Sequence, residues 1–124
     1  MRIKYHKEIE FFLKKYFFSQ KYLLKKRLER AIKNNYETEL KLVKNFISPG
    51  TESIDIGVYR GVYSYEMSKY SKNVHAFEIN PIIFSSLIKN ISKLKKNIKL
   101  YNFGLSNRNS KTTLRIPIRN KFAN

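Results

Sequence analysis

The sequence has no cysteine, which excludes a disulfide framework, a thiolate zinc site and a cysteine nucleophile. Its two histidines are too few for most metal cages, so no metal is expected. Long apolar runs are missing as well. Phe11-Phe12-Leu13 is closed by Lys14-Lys15, far short of the ~20 residues of a membrane span, and the N-terminus has no signal-peptide apolar segment. These absences predict a soluble, cytoplasmic protein. Acidic residues are scarce too: 9 Asp and Glu stand against 26 Lys and Arg, a formal net charge of +17. Such an excess ordinarily points to nucleic acid or an anionic membrane. Lys outnumbers Arg 19 to 7, however, and Lys, Asn, Ile, Tyr and Phe share A/T-rich codons, so base composition is a sufficient source for much of it. With no helix-turn-helix, RNA-binding or zinc-finger signature, no specific nucleic-acid partner is expected.

What is present suffices for a folded core. In 124 residues, 42% are hydrophobic and 15% aromatic, which suits one domain or a small domain with an appendage. Residues 1–35 stand apart: they hold no Gly or Pro, and 11 basic residues against 3 acidic. Ile9, Phe12, Leu13 and Tyr16, and then Leu24, Leu28, Ala31 and Ile32, recur at helical spacing, predicting two basic amphipathic helices with a break at Ser19-Gln20. Asn34-Asn35 closes the second, Asn being tolerant of the left-handed conformation. This extension could cover a neighbouring surface or touch an anionic one weakly.

From Tyr36 the pattern alternates. A helix is expected over Glu37 to Ile47, stopped by Ser48-Pro49-Gly50; a strand at Ser53 to Ile56; a helix from Arg60 to Tyr70; a strand at Asn73 to Phe77; a helix from Pro81 to Leu94; and a strand at Ile98 to Phe103. Helices of this length between strands imply a parallel sheet with crossovers. Asn107 to Ser110 reads as a turn, and Thr112 to Ile118 alternates as a strand, predicting a terminal hairpin.

Asp55-Ile56-Gly57-Val58-Tyr59-Arg60-Gly61 falls at a strand-to-helix turn. Its glycines permit tight turning and close approach of a ligand, while the following helix start offers free N–H groups. A pyrophosphate site wants G-x-G-x-x-G. The sequence offers D-x-G-x-x-x-G instead, and an acid at the strand end suits an ammonium group. Glu78 ends the next strand and can accept from both hydroxyls of a ribose. An amino acid joined to a ribose describes S-adenosylmethionine.

With Ser48-Pro49-Gly50, Asp55-Ile56-Gly57, Gly61-Val62-Tyr63-Ser64, Ala76-Phe77-Glu78, Asn80-Pro81, Leu87-Ile88-Lys89-Asn90 and Asn102-Phe103-Gly104-Leu105-Ser106, residues 36–118 resemble the N-terminal part of an FkbM-family methyltransferase. The resemblance implies a partial Rossmann-like class I fold that depends on S-adenosylmethionine. It implies that Asp55, Gly57 and Gly61 hold the methionine end, that Glu78 holds the ribose, and that Asn102, Phe103 and Gly104 lie near the adenine. Tyr59, Tyr63, Ser64, Ile79 and Asn80, within the same motifs, complete the expected cofactor-binding set. The family has Ala-Asn where this chain has Val58-Tyr59, and Glu-Pro-Asn-Pro where it has Glu78-Ile79-Asn80-Pro81.

The implied reaction is methyl transfer to a hydroxyl of a sugar or other small metabolite. The division implied is a basic helical extension, 1–35, and the cofactor-binding half of a methyltransferase domain, 36–124. The family's Asp-x-Glu-Gly strand is not present, so the chain is expected to be incomplete, inactive alone, and prone to self-association or to pairing with a complementary fragment. No general base can be named. His75, mid-strand, reads as a packed histidine and His6 as a solvated one; Tyr63 and Tyr65 read as core. A second reading is a non-catalytic basic module that associates with an anionic surface or a partner chain.

Overall fold

A computed structural model describes residues 19–34 and 37–116. Its elements are α1 (Gln20–Lys33), a 3-10 turn (Thr38–Lys41), a one-turn α2 (Val43–Phe46), β1 (Glu52–Ile56), α3 (Val62–Met67), β2 (Asn73–Phe77), α4 (Pro81–Leu94) and β3 (Ile98–Tyr101). The strands form one parallel sheet in the order β1-β2-β3, with Asp55 opposite Ala76 and Ala76 opposite Leu100. This is a Rossmann-like β-α-β-α-β arrangement, partial in extent.

Strand alternation gives the sheet two unlike faces. Val74, Ala76 and Ile98 turn toward the helices and form the core with Val58, Leu87 and Ile91, flanked by Met67, Ile83 and Leu100. The opposite face carries Ile54, Ile56, His75, Phe77 and Tyr101, with Phe103 just beyond β3. No described element covers it: Ile54 is 60% exposed and Ile56 67%. There the rings of Phe77 and Tyr101 stack with centroids 4.8 Å apart, and Phe103 meets Phe77 edge-on at 5.3 Å.

Local chemistry explains the boundaries. Ser19 caps α1, its hydroxyl accepting from the Tyr22 N–H at 3.2 Å, which is where the sequence breaks. Arg30 and Lys33 in the last turn complement the helix dipole. Asn80 caps α4 by accepting from the Ile82 and Ile83 N–H groups, and Pro81 follows at a position that needs no N–H donor. Leu87 and Ile91, one turn apart, are the residues α4 buries.

Several expectations are corrected. The helix over 37–47 is a 3-10 turn followed by a single α-turn. Leu40 and Leu42 donate to the carbonyls three residues back, at Glu37 and Glu39, and no side chain caps either piece. The helix over 60–70 is confined to Val62–Met67. Gly61 is left-handed before it, and after it Ser68 Oγ donates to the Tyr65 carbonyl while the chain tightens into three-residue turns. β3 ends at Tyr101 because the Asn102 side-chain amide turns back to donate to the Glu78 carbonyl at 2.7 Å.

Asn34 caps α1 at φ −80°, outside the left-handed region, its N–H donating to the Arg30 carbonyl. No hairpin forms over 107–116: residues 112–116 pair with no strand among the described residues, and Leu114 and Ile116 stay exposed. The first expected helix, His6, Asn35 and Ile118 lie outside the described residues. No described helix is long and apolar enough to cross a membrane.

Gly61 shows how tightly loop and helix meet. At φ +75° it adopts a conformation costly for an L side chain, and a Cβ there would stand 1.8 Å from Ile91 Cδ1. Gly61→Ala combines overpacking with backbone strain and is expected to cost about 3 kcal/mol. Urea unfolding measures this; a change below about 0.5 kcal/mol would mean that α4 does not seat on the loop as described.

Candidate functional site

The carboxyl ends of β1 and β2 bring together most of the residues marked in the sequence. After Ile56 the chain turns through Gly57 at φ +80° and Tyr59 at φ +49° to Gly61. Gly57 and Val58 donate to the Phe77 carbonyl, and Gly61 donates to Val58, so the loop is tied to the end of β2 by its own backbone. Nothing lies within 4 Å of a Cβ built at Gly57, which leaves open space beside this turn.

Glu78 completes the loop. Its Oε2 accepts from the Tyr59 N–H at 3.0 Å and its Oε1 from the Asn80 N–H at 2.8 Å, with the residue only 6% exposed. One buried carboxylate therefore ties the β1 loop to the start of α4, and two backbone donors meet the cost of burying it. Asp55, one strand across, faces the helices. Its Oδ2 accepts from Ser64 Oγ at 2.5 Å. Burial pushes the Asp55 carboxyl above its ordinary value and nearby Glu78 adds to the rise, opposed by hydrogen bonds from the Ser64 side chain and backbone.

A cleft of about 730 Å³ opens over this turn, lined by Asp55, Gly57, Tyr59 and Tyr63 together with Glu37 and Arg30. Interaction with the Glu37 side chain, with smaller contributions from burial and nearby carboxylates, pushes the Tyr63 phenol up to about 12. Gly61 and Ser64 are buried beneath the turn, so they shape the cleft without lining it. Ile79 and Asn80 follow Glu78 directly. Asn102 bonds the carbonyls of Glu78 and Ile79, and Gly104 lies against Ile79, so 78–80 and 102–104 form a second cluster beside the first. Phe103 parts from its neighbours, its ring joining Phe77 and Tyr101 on the uncovered face. Tyr65 is buried.

His75 is bonded on both sides, Nδ1 to Tyr101 Oη at 3.0 Å and Nε2 to Glu52 Oε2 at 2.9 Å. Glu52 also accepts from Asn73, and that bond, then the one from His75, holds its carboxyl below the usual range. The partners Glu52 and Tyr101 were not marked in the sequence, because only strand register reveals them. Arg27 and Arg30 lie in the basic extension, where the helical spacing singles out the apolar positions and neither arginine. The available signal was their identity as arginines in a lysine-rich chain.

No protein-family model matches the sequence, and no curated protein does. Among solved structures the chain is similar to the 23S rRNA methyltransferase ErmE at 20% identity and a TM-score of 0.48, over 54% of this chain and 28% of that one. It is similar to Trm5b from Pyrococcus abyssi at 25% identity and a TM-score of 0.48, over 53% and 20%. A protein of the NADB-Rossmann superfamily from Streptococcus agalactiae aligns at 24% identity and a TM-score of 0.41, over 54% and 32%. The likeness thus spans between 20% and 32% of these chains and fixes no activity for this one.

Tyr59 occupies a left-handed position that Asn adopts far more readily. Tyr59→Asn keeps the backbone donor to Glu78 and is expected to stabilise the chain by about 1 kcal/mol, read as a raised denaturant midpoint; an unchanged or lowered midpoint argues against strain at this residue.

Asp55 provides a pH test. A carboxyl whose folded pKa is raised contributes stability that is complete below its unfolded value, ordinarily 3.8, and is lost as pH rises through the folded value. Relative to the parent, Asp55→Asn should therefore gain stability between pH 3 and pH 7. Parallel stability curves over that range would show that Asp55 ionises without penalty.

Proposed function

We propose that the chain carries the cofactor-binding elements of an S-adenosylmethionine-dependent methyltransferase of the FkbM type, acting on an oxygen acceptor. One observation supports this best: two carboxylates, Asp55 and Glu78, at the carboxyl ends of adjacent parallel strands, bracket a left-handed turn beside a nucleoside-sized cleft. Ligands of open α/β sheets characteristically bind outside the carboxyl ends of the strands.

The residues fit the group in two respects. Gly57 leaves room for a ligand atom to approach the backbone, as a Cβ would not. Glu78 uses one contact on each oxygen, and a carboxylate offers about four acceptor sites, so a ribose diol can share it without breaking the loop. In this reading Asp55 receives the ammonium group, Gly57 and Gly61 shape the turn around the methionine end, and Glu78 receives the ribose. Tyr59 and Tyr63 wall the cleft, Ser64 supports Asp55 from beneath, and Ile79, Asn80, Asn102 and Gly104 stand on the adenine side, while the Phe103 ring turns to the other face of the sheet. When bound, the cofactor supplies an electrophilic methyl group. The chain's contribution is positioning: it orients the donor while the acceptor hydroxyl, on a sugar or small metabolite, is brought into line.

Isothermal titration of the full chain with S-adenosylhomocysteine tests the reading. Saturable binding is expected, weakened about tenfold, or about 1.4 kcal/mol, by Asp55→Asn, which removes the charge that faces the ammonium group. Absence of saturable heat from a folded sample would sink it, and equal affinity in the variant would remove Asp55 from the site.

A further inference from the structure

The cleft over the Gly57 turn is one end of a longer groove. A second cavity, about 560 Å³, runs between α1 and α4, and the two share Arg27, Ala31, Tyr59, Arg60 and Val62 in their walls. Three arginines line the groove, Arg27 and Arg30 from α1 and Arg60 from the turn, and no lysine does. The chain has 19 Lys and 7 Arg, so drift toward A/T-rich codons, which supplies lysine, does not account for these cations.

Among the described residues, the nearby carboxylates Glu29, Asp55 and Glu78 are engaged with other groups. On α1, Glu29 pairs with Lys25, and Glu37 shares the groove wall with Tyr63 and makes no ion pair among the described residues. Asp55 accepts from Ser64, and the buried Glu78 accepts from two backbone donors. Among the described residues none of the three guanidinium groups has an ion pair; that of Arg60 lies over the Tyr59 ring at 5.2 Å, which leaves its in-plane donors free. Arg27 and Arg30, three residues apart on a helix, are neighbours on its surface. Planar forks clustered without an ion-paired carboxylate among the described residues suit an oxyanion with several oxygens, and the groove is far larger than a single carboxylate needs.

From these observations we propose that the groove between α1 and the Gly57–Gly61 turn binds a phosphate-bearing ligand through Arg27, Arg30 and Arg60. The site does not depend on the methyl-donor reading. It also separates two uses of the +17 charge: lysines over the surface contribute a diffuse field, while the three arginines form a local receptor.

Two probes distinguish the sources of phosphate: inorganic pyrophosphate by calorimetry, and a short labelled oligouridylate by fluorescence anisotropy, both with the full chain at physiological salt. Arg27→Gln/Arg30→Gln/Arg60→Gln is expected to lose at least about tenfold in affinity for whichever probe binds. Lys89→Gln/Lys93→Gln/Lys96→Gln removes the same charge from α4 and the segment after it, away from the groove, and should lose less than about threefold. Arg27→Lys/Arg30→Lys/Arg60→Lys keeps charge and fold but lacks the fork geometry, and should still lose about fivefold, which covers failure of the first variant to fold. Binding of the oligonucleotide with little pyrophosphate affinity assigns the groove to a phosphodiester strand; binding of both assigns it to a phosphate group as such. Equal losses in the lysine and arginine variants, or no binding of either probe, would overturn the proposal.

Discussion

The arrangement at the strand ends depends on the buried carboxylate of Glu78. Removed from water, it needs partners for its charge, and the nearest are the N–H groups of Tyr59 and Asn80. Meeting that need fixes two segments at once. The turn after β1 is held over the end of β2, and Asn80 is set where its side chain caps α4. Gly61 then lies against Ile91 and Leu87, so the burial of α4 and the path of the turn are parts of one contact. The strained backbone of Tyr59 belongs to this clamp, since its N–H is one of the two donors.

Above the clamp the groove has Asp55 at its floor and arginines along its walls, with Glu78 buried beneath it. Asp55 and Glu78 are withdrawn, one half-buried and one buried, while Arg27, Arg30 and Arg60 remain exposed. A ligand entering from solvent therefore meets the guanidinium groups and the Glu37 carboxylate first and Asp55 last. This ordering is compatible with a zwitterionic or composite ligand whose cationic part reaches the floor, and with an anionic one held nearer the rim.

How much could be read from residues alone varied with the range of the forces involved. Asn80-Pro81 and the Leu87/Ile91 spacing specify α4 locally, and the expected bounds match. Val74 and Ala76 lie on β2, which among the described strands is the one paired on both sides, and the run Asn73 to Phe77 is unambiguous. The helix over 37–47 failed because its apolar positions, Leu40 and Val43, are buried equally well by two short turns. The strand over 112–118 failed, as far as it is described, because alternation states only which side chains could share a face and does not provide a neighbouring strand to bond. For the site, glycines and acids were legible by type and spacing. The partnership of Glu78 with Tyr59, the facing of Phe103 away from the turn and the gathering of the arginines arise from register and helix docking, which no local pattern encodes.

The uncovered side of the sheet has a colloidal consequence. Parallel sheets ordinarily have both faces covered, yet among the described residues nothing covers Ile54, Ile56 and Phe103 beside the half-buried rings of Phe77 and Tyr101. Such a patch draws molecules together at short range, whereas a net charge of +17 drives them apart at long range. At low ionic strength repulsion extends tens of ångströms and keeps the patches from meeting; at high salt it shrinks to about 3 Å and no longer does. For this chain, then, salt acts as a precipitant by screening the surface charge, and dispersal in solution is a property that charge confers on an otherwise adhesive sheet.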